Sequence, residues 1–489
     1  MPTKTAAPPR IVSWINGAPV AERGQHEIAV IDPANETAMA VLLEADADEV
    51  DAAVQAARKA FDHGPWPRLT PAERSKILRL VADLIDARSE ELALLECQHT
   101  GIPISQIKAV HLPRTSLNFR FFADYISQLA GKSFADQTGI VTYVKRYPIG
   151  VAGLIAPWNV PLGLGMMKTA AALAFGCTVV LKPSEMTPVT FPILMEILQQ
   201  AGVPDGVVNL VNGRGNVTGL ALSQHPDVDC YSFTGGTTTG RMIASDAARR
   251  LKPSTMELGG KSAAVIFADC DFDAAVQGVH LANFAGNGQQ CLNGTRVFIE
   301  RAIFERFAEG LVTKAQAMKI GPPSDRATEL GPIQNGAHMA AILSFVARAK
   351  ADGCEILTGG GKAVGFDQGY YIEPIIAMAP DTARIICQEE IFGPFATLVP
   401  FDTPAQAIDM ANDSDYGLAG YVWSLDINKA IGVADALQTG AVWVNTSLLR
   451  ELRAPFGGWK NSGLGRESGD GCAALFTEEK TITIKIAPV

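Results

Sequence analysis

Apolar residues recur near the start of the chain at helical spacing. Val50, Val54, Ala57 and Phe61 lie four, three and four residues apart and form one stripe. Thr70-Pro71-Ala72-Glu73 predicts a capping box with proline in the first turn. It opens one long helix that runs to about His99 and stops at Gly101. From Val151 the pattern changes to short continuous apolar runs at 151–156, 178–182, 207–211 and 228–233, which predict buried strands. Helical segments separate them: 161–175, one that ends at Ala201 before Gly202, a short one, and one from about Thr238. Such alternation predicts a parallel sheet with right-handed crossovers, and ligands bind such sheets at the C-terminal strand ends. A second alternating block runs from Ser262 to about Trp443, and Gly259-Gly260 marks the boundary between the two. Segments 141–146 and 481–486 read as strands of a small separate sheet.

Composition narrows the class. At about 150 residues per domain, 489 residues predict two or three domains. The 47% hydrophobic content is ample for a large core. With 51 acidic against 41 basic residues the net charge is −10, which sets the chain against phosphate backbones and nucleic-acid binding. The eight cysteines form no C-x-x-C pair and none sits near histidine at metal-ligand spacing, so no metal site is expected. The start MPTKTAAPPR has no apolar h-region, and with the sparse cysteines it points to the reducing cytoplasm. The uncharged stretch 149–167 contains Pro157, Pro161 and several glycines, which break a membrane helix. It reads as strand, loop and helix start, and no membrane association is expected.

Several residues carry candidate chemistry. Glu185 follows the second strand, where a carboxylate accepts hydrogen bonds from ribose hydroxyls; a first-turn acid supporting the next helix is the alternative. Two glycine loops compete for phosphates, 213–219 and 234–240; the second also offers threonine hydroxyls at a helix start. The run 359–362 lacks P-loop spacing and reads as a surface turn. Cys291 is the candidate nucleophile, because a thiolate attacks a carbonyl carbon and then leaves readily from a thioester. The other cysteines read as buried apolar residues. Glu257 is an available acid at the domain junction. Unaided, these residues describe a nucleotide-binding α/β enzyme.

Seven segments in order, from near residue 20 to the end, resemble the aldehyde dehydrogenase superfamily. They are Pro157-Trp158-Asn159, Lys182-Pro183-Ser184-Glu185, Phe233-Thr234-Gly235, Glu257-Leu258-Gly259-Gly260-Lys261, Gly288-Gln289-x-Cys291, Glu389-Glu390-Ile391-Phe392-Gly393-Pro394, and Pro455-Phe456-Gly457-Gly458 with Ser462-Gly463-x-Gly465-Arg466-Glu467. The resemblance implies two Rossmann-like parallel-sheet domains plus a small oligomerisation sheet. The NAD-binding domain would span 1–125 and 149–259, the catalytic domain 260–449, and the sheet 126–148 and 470–489. It implies Cys291 as nucleophile, Asn159 and the Cys291 backbone N–H as oxyanion donors, Glu257 as hydrolytic base, and a proton path through Lys168 and Glu467. Lys182 and Glu185 would hold the adenosine ribose, and Glu390 and Phe392 the nicotinamide side. Ile155, Pro157, Trp158, Ser184, Phe233, Gly235, Gly236, Thr237, Gly240 and Leu258 would complete the cofactor site. An acid at 185 favours NAD over NADP, because it repels a 2′-phosphate. Gly236 departs from the usual serine, and Gly286 from a frequent asparagine. Glu257 favours hydrolysis over transfer to coenzyme A.

Leu449-Arg450-Glu451-Leu452-Arg453 and the segment 118–124 look like the branch acting on muconic-type semialdehydes, products of aromatic ring cleavage that bear carboxylates. In that branch Arg120 and Arg453 would clamp the carboxylates by bidentate contacts. The alternative is structural pairing of Arg120 with Asp124 and of Arg453 with Glu451. A broad-range aldehyde dehydrogenase and a non-catalytic binding member of the family remain the competing readings. The family implies a homodimer or homotetramer.

Overall fold

The four apolar runs and a fifth strand lie side by side and parallel at the centre of an eight-stranded sheet. In spatial order they are Ser254–Glu257, Cys230–Thr234, Val151–Ile155, Thr178–Lys182 and Val208–Leu210. Gly463–Leu464 closes one edge antiparallel; the hairpin of Trp14–Ile15 and Ala18–Pro19 closes the other. The structure is a computed structural model that describes residues 7–135 and 139–486. The first six residues, 136–138 and the last three, which fall within the expected start and domain spans, lie outside the described residues.

Both faces of this sheet are covered, which is why its strands are continuously apolar rather than alternating. The helix Ala47–Asp62 lays Val50, Val54 and Ala57 against Val151, Val180 and Tyr231 on one face. On the other face the helix Pro161–Ala174 packs with the helices Pro71–Ala87 and Leu112–Tyr125 around Phe119, Leu154 and Leu181. The second block forms a seven-stranded sheet, parallel except at the edge strand Glu355–Thr358. Successive residues of Ala263–Ile266 enter opposite cores: Ala263 and Val265 pack with Phe298, Ala264 and Ile266 with Val297. Thr477–Lys485 pairs antiparallel with Ile140–Pro148, Thr481 opposite Val144 and Ile484 opposite Val141, in a three-stranded sheet of its own.

One local expectation is corrected. The single long helix to His99 is two, Pro71–Ala87 and Ser89–Thr100, broken at Arg88 (φ −101°, ψ 18°). Ser89-Glu90-Glu91 restarts the chain with acidic residues in a new first turn, while Arg88 ties Glu91 to Glu196. The capping box at Thr70 and the left-handed Gly101 (φ 77°) occur where the sequence places them. Among the described residues ahead of Ala47 no helix forms: Glu27–Asp32 and Thr37–Leu43 make an antiparallel pair around their own small core.

Candidate active site

A cavity of about 500 Å³ opens at the C-terminal ends of the first sheet's central strands. Ile155 ends one strand, Lys182 the next, and Phe233 and Thr234 a third, so strand ends of the parallel sheet supply one wall. The loop after Thr178–Lys182 adds Ser184 and Glu185. Buried Lys182 donates to the Pro183 carbonyl at 3.0 Å and to Glu185 Oε2 at 3.4 Å. Burial pulls the Lys182 ammonium pKa down, and the Glu185 carboxylate opposes that.

Both glycine loops reach this cavity. Gly215 and Gly219 line it from one, Gly235 and Gly236 from the other. A Cβ at Gly236 would meet nothing within 4 Å, leaving room where a ligand can approach the start of the helix Thr237–Arg249. The Thr234 hydroxyl is buried without a hydrogen-bond partner on the same wall. Thr237 and Gly240 do not line the cavity; a Cβ at Gly240 would collide with Leu258 at 2.2 Å, so that glycine lets the helix approach a lining residue. Met242, Ile243 and Asp246 were missed, because a helix interior carries no motif.

The far end of the cavity holds Asn159, Cys291, Glu390 and Phe392. Cys291 follows a backbone that is left-handed at three consecutive residues, Gly286 (φ 59°), Asn287 (φ 57°) and Gly288 (φ 67°). The conformation is held: Asn287 donates to Gly101 O and Pro332 O and accepts from Gly331 N–H. The domain junction also closes on this loop. A Cβ at Gly260 would fall 2.5 Å from the Cys291 carbonyl oxygen, and one at Gly259 would fall 2.2 Å from Glu390 Oε2. The glycine pair is thus required by close approach as well as by the change of sheet. Asn159 donates one amide hydrogen to Gln289 O at 2.8 Å, which orients the amide and leaves its second N–H. Glu390 accepts from Gly260 N–H at 2.9 Å. Phe392 adopts φ 56°, its carbonyl accepts from His338 Nε2 at 2.7 Å, and its ring meets Trp158 edge-on at 5.3 Å.

Burial pushes the Cys291 thiol up to about 12, with the carboxylates of Glu257 and Glu390 acting the same way. Cys291 therefore rests as a thiol. Glu257, at the end of Ser254–Glu257, is buried with neither carboxyl oxygen hydrogen-bonded. Desolvation, then the nearby Glu467 charge, raises its pKa well above the usual range; Lys168, Arg450 and Arg466 oppose the rise. Lys168 and Glu467 form a buried ion pair bridged by Ser232, which accepts from Lys168 Nζ at 2.9 Å and donates to Glu467 Oε1 at 2.9 Å. Ser232 has no motif to reveal it.

Arg120 and Arg453 do not reach the cavity. The Arg120 guanidinium lies 2.7 Å from both Asp83 and Asp86 of the helix Pro71–Ala87, while Asp124 pairs with Arg79. Arg453 is exposed and pairs with Glu451 at 2.8 Å. Two neighbours of these residues stand closer to the chemistry. Arg450 is within electrostatic reach of Glu257, Glu467 and Cys291, its guanidinium 3.6 Å from the centre of the Phe456 ring. Arg114 lies beside Arg450; burial, then that neighbouring charge, lowers its pKa to about 10. Among the described residues neither forms a salt bridge with a carboxylate. Arg114 precedes Arg120 by six residues, which turns the two to different faces of one helix.

Among the described residues no helix is long and apolar enough to cross a membrane, and no three His, Cys, Asp or Glu side chains gather as a metal site. Comparison with known proteins agrees with the geometry. The chain is 42% identical over 484 residues to a 2-hydroxymuconic semialdehyde dehydrogenase of Pseudomonas sp. (strain CF600), covering 97% of this chain and 99% of that one. A 2-aminomuconic semialdehyde dehydrogenase of Danio rerio is 41% identical over 460 residues, 93% of this chain and 94% of that one. The NAD+ complex of an aldehyde dehydrogenase from Bacillus cereus superposes with a TM-score of 0.95 at 38% identity, covering 98% and 97% of the two chains. Residues 20–482 match the aldehyde dehydrogenase family, and the protein belongs to it as an oxidoreductase.

Proposed function

We propose that the protein oxidises a carboxylated, muconic-type semialdehyde to the acid, with NAD as hydride acceptor and a thioester on Cys291. The observation that carries the substrate class is the pair Arg114 and Arg450, which form no salt bridge among the described residues; Arg450 stands within electrostatic reach of Cys291 and Glu257, and Arg114 stands beside Arg450. Partly buried charges of one sign are costly to hold together, and an anionic substrate relieves that cost. The relatives named for muconic semialdehydes support the same class. Arg120 and Arg453, engaged by aspartates and a glutamate, serve as surface ion pairs instead.

The Cys291 thiol releases its proton to solvent through the open cavity and its thiolate attacks the aldehyde carbon; the Cys291 backbone N–H with the second N–H of Asn159 stabilises the alkoxide. NAD, held by the cavity residues named above, would supply the hydride acceptor. The open space at Gly236, the unpartnered Thr234 hydroxyl and the strand-end carboxylate Glu185 fit such a dinucleotide. Glu257 then takes a proton from the water that hydrolyses the thioester, and Lys168, Ser232 and Glu467 continue the path behind it.

Arg114→Ala and Arg450→Ala each lower kcat/KM on a hydroxymuconic semialdehyde by an amount worth about 2 to 4 kcal/mol, as for truncated charged pairs. A neutral aldehyde of similar size reacts nearly as before. Equal losses on both substrates would restore the broad-range reading. Glu185→Ala lowers the NAD to NADP ratio of kcat/KM about tenfold, because one hydroxyl acceptor and one repulsive charge are lost together. An unaltered ratio in parallel steady-state assays would reject it.

The protein is also proposed to be a homodimer or homotetramer. Thr477–Lys485 pairs on one edge only, and Ile484 and Ile486 are exposed there. An open strand of this kind needs cover. Light scattering at micromolar concentration should give at least a dimer mass; a monomer would contradict the assignment.

A further inference from the structure

One buried carboxylate joins both arms of the cavity from behind. Glu96 lies in the helix Ser89–Thr100 and is fully buried, as are His99 and Thr190. Its Oε1 accepts from the Leu162 N–H at 3.1 Å. Leu162 is in the first turn of the helix Pro161–Ala174, whose entry residue Val160 provides no side-chain cap. Glu96 therefore satisfies an orphan donor and places negative charge at the positive end of that helix. Asn159 stands three residues before Leu162, and Lys168 lies on the helix itself.

Glu96 Oε2 faces the other way. It accepts from the Thr190 hydroxyl at 3.1 Å and lies 3.0 Å from His99 Nε2. His99 Nδ1 accepts from the Val189 N–H at 3.3 Å, so Nε2 carries the proton and donates to Glu96. Val189 and Thr190 close the loop that begins after Lys182 and carries Ser184 and Glu185 into the cavity. Each donor that meets Glu96 thus belongs to, or is tied to, a segment bearing a functional group.

We propose that Glu96 is a positioning residue, setting the Asn159 arm through Leu162 and the Glu185 arm through Thr190 and His99. The proposal rests on the assignment of Cys291, Asn159 and NAD above. Small displacements of such groups are expensive: a shift of about 1 Å can cost roughly a hundredfold in rate. Glu96→Gln keeps the shape of the side chain, but its amide nitrogen must face either the Leu162 N–H or the donors at Thr190 and His99, donor against donor.

The test measures the NADH burst rate and kcat, each per titrated Cys291 thiol, and the KM for NAD. Glu96→Gln should slow the burst at least about tenfold and raise the KM for NAD about fivefold or more, since both arms move. His99→Ala cuts only the Val189 side. It should raise the KM for NAD while the burst slows less than about threefold. A purely structural role predicts fewer titratable sites with unchanged constants per site, and that outcome overturns the proposal. If Glu96→Gln yields no folded enzyme, His99→Ala and Thr190→Val decide, and wild-type KM values in both overturn it. A retained burst in Cys291→Ala would instead defeat the underlying assignment; a lost burst there beside wild-type constants in Glu96→Gln defeats this inference alone.

Discussion

Cys291→Ala abolishes NAD reduction, with a loss on the order of 10⁴-fold or more, while NAD still binds. The magnitude follows from what the thiol contributes: no acyl-enzyme forms without it, and the oxyanion donors of Asn159 and residue 291 have no tetrahedral centre to stabilise. The cofactor wall is built from other strand ends, at Ile155, Lys182 and Phe233, so the substitution leaves it intact. Steady-state turnover with equilibrium dialysis of NAD separates the two effects. Retained turnover would require another nucleophile, and the remaining thiols offer a poor choice: Cys97, Cys177, Cys230, Cys354, Cys387 and Cys472 are buried, and Cys270 does not line the cavity.

Glu257→Gln separates the two half-reactions. The variant should give a stoichiometric burst of NADH and then stall as the acyl-enzyme, with steady-state turnover down about a hundredfold or more, the scale of a lost general base. The pH dependence is part of the same expectation. Burial and the Glu467 charge raise the Glu257 pKa, so at rest the carboxyl holds its proton to higher pH than an ordinary glutamate. A base must first lose that proton. Thioester hydrolysis should therefore rise with pH through the raised value and fall on acidification, and the profile should be flat in Glu257→Gln. For stability the sign is the reverse: the folded state favours the protonated form, so this contribution is present at low pH and is lost as pH rises through the folded value. Identical steady-state turnover in the variant would remove Glu257 from the mechanism.

The arginines proposed to hold the substrate show where reading a motif stops. The segment Leu449-Arg450-Glu451-Leu452-Arg453 holds two arginines, and a linear pattern does not say which turns inward. In the fold Glu451 takes Arg453 on the surface, leaving Arg450 against Phe456 and near Cys291. Likewise Arg114 and Arg120 share one helix, and only the packing of that helix on Pro71–Ala87 shows that Asp83 and Asp86 claim Arg120.

What the sequence by itself determined is what depends on neighbours along the chain. The apolar runs define strands because a doubly covered parallel sheet buries both faces, so their extent shows without knowing the partners. The cap at Thr70 and the stop at Gly101 are local hydrogen-bond and dihedral requirements. Motif order identified the family, since glycines, a cysteine and acids recur at set spacing. Tertiary structure alone decided matters of distance between remote segments. It joined Lys168 to Glu467 through Ser232, brought Gly260 against the Cys291 carbonyl, and tied Glu96 to Leu162 and Thr190. Charge and hydrogen-bond energies depend on separations of a few ångströms in a low-dielectric interior. A sequence orders residues but does not state those separations, and so the partner of each buried charge became visible only in the fold.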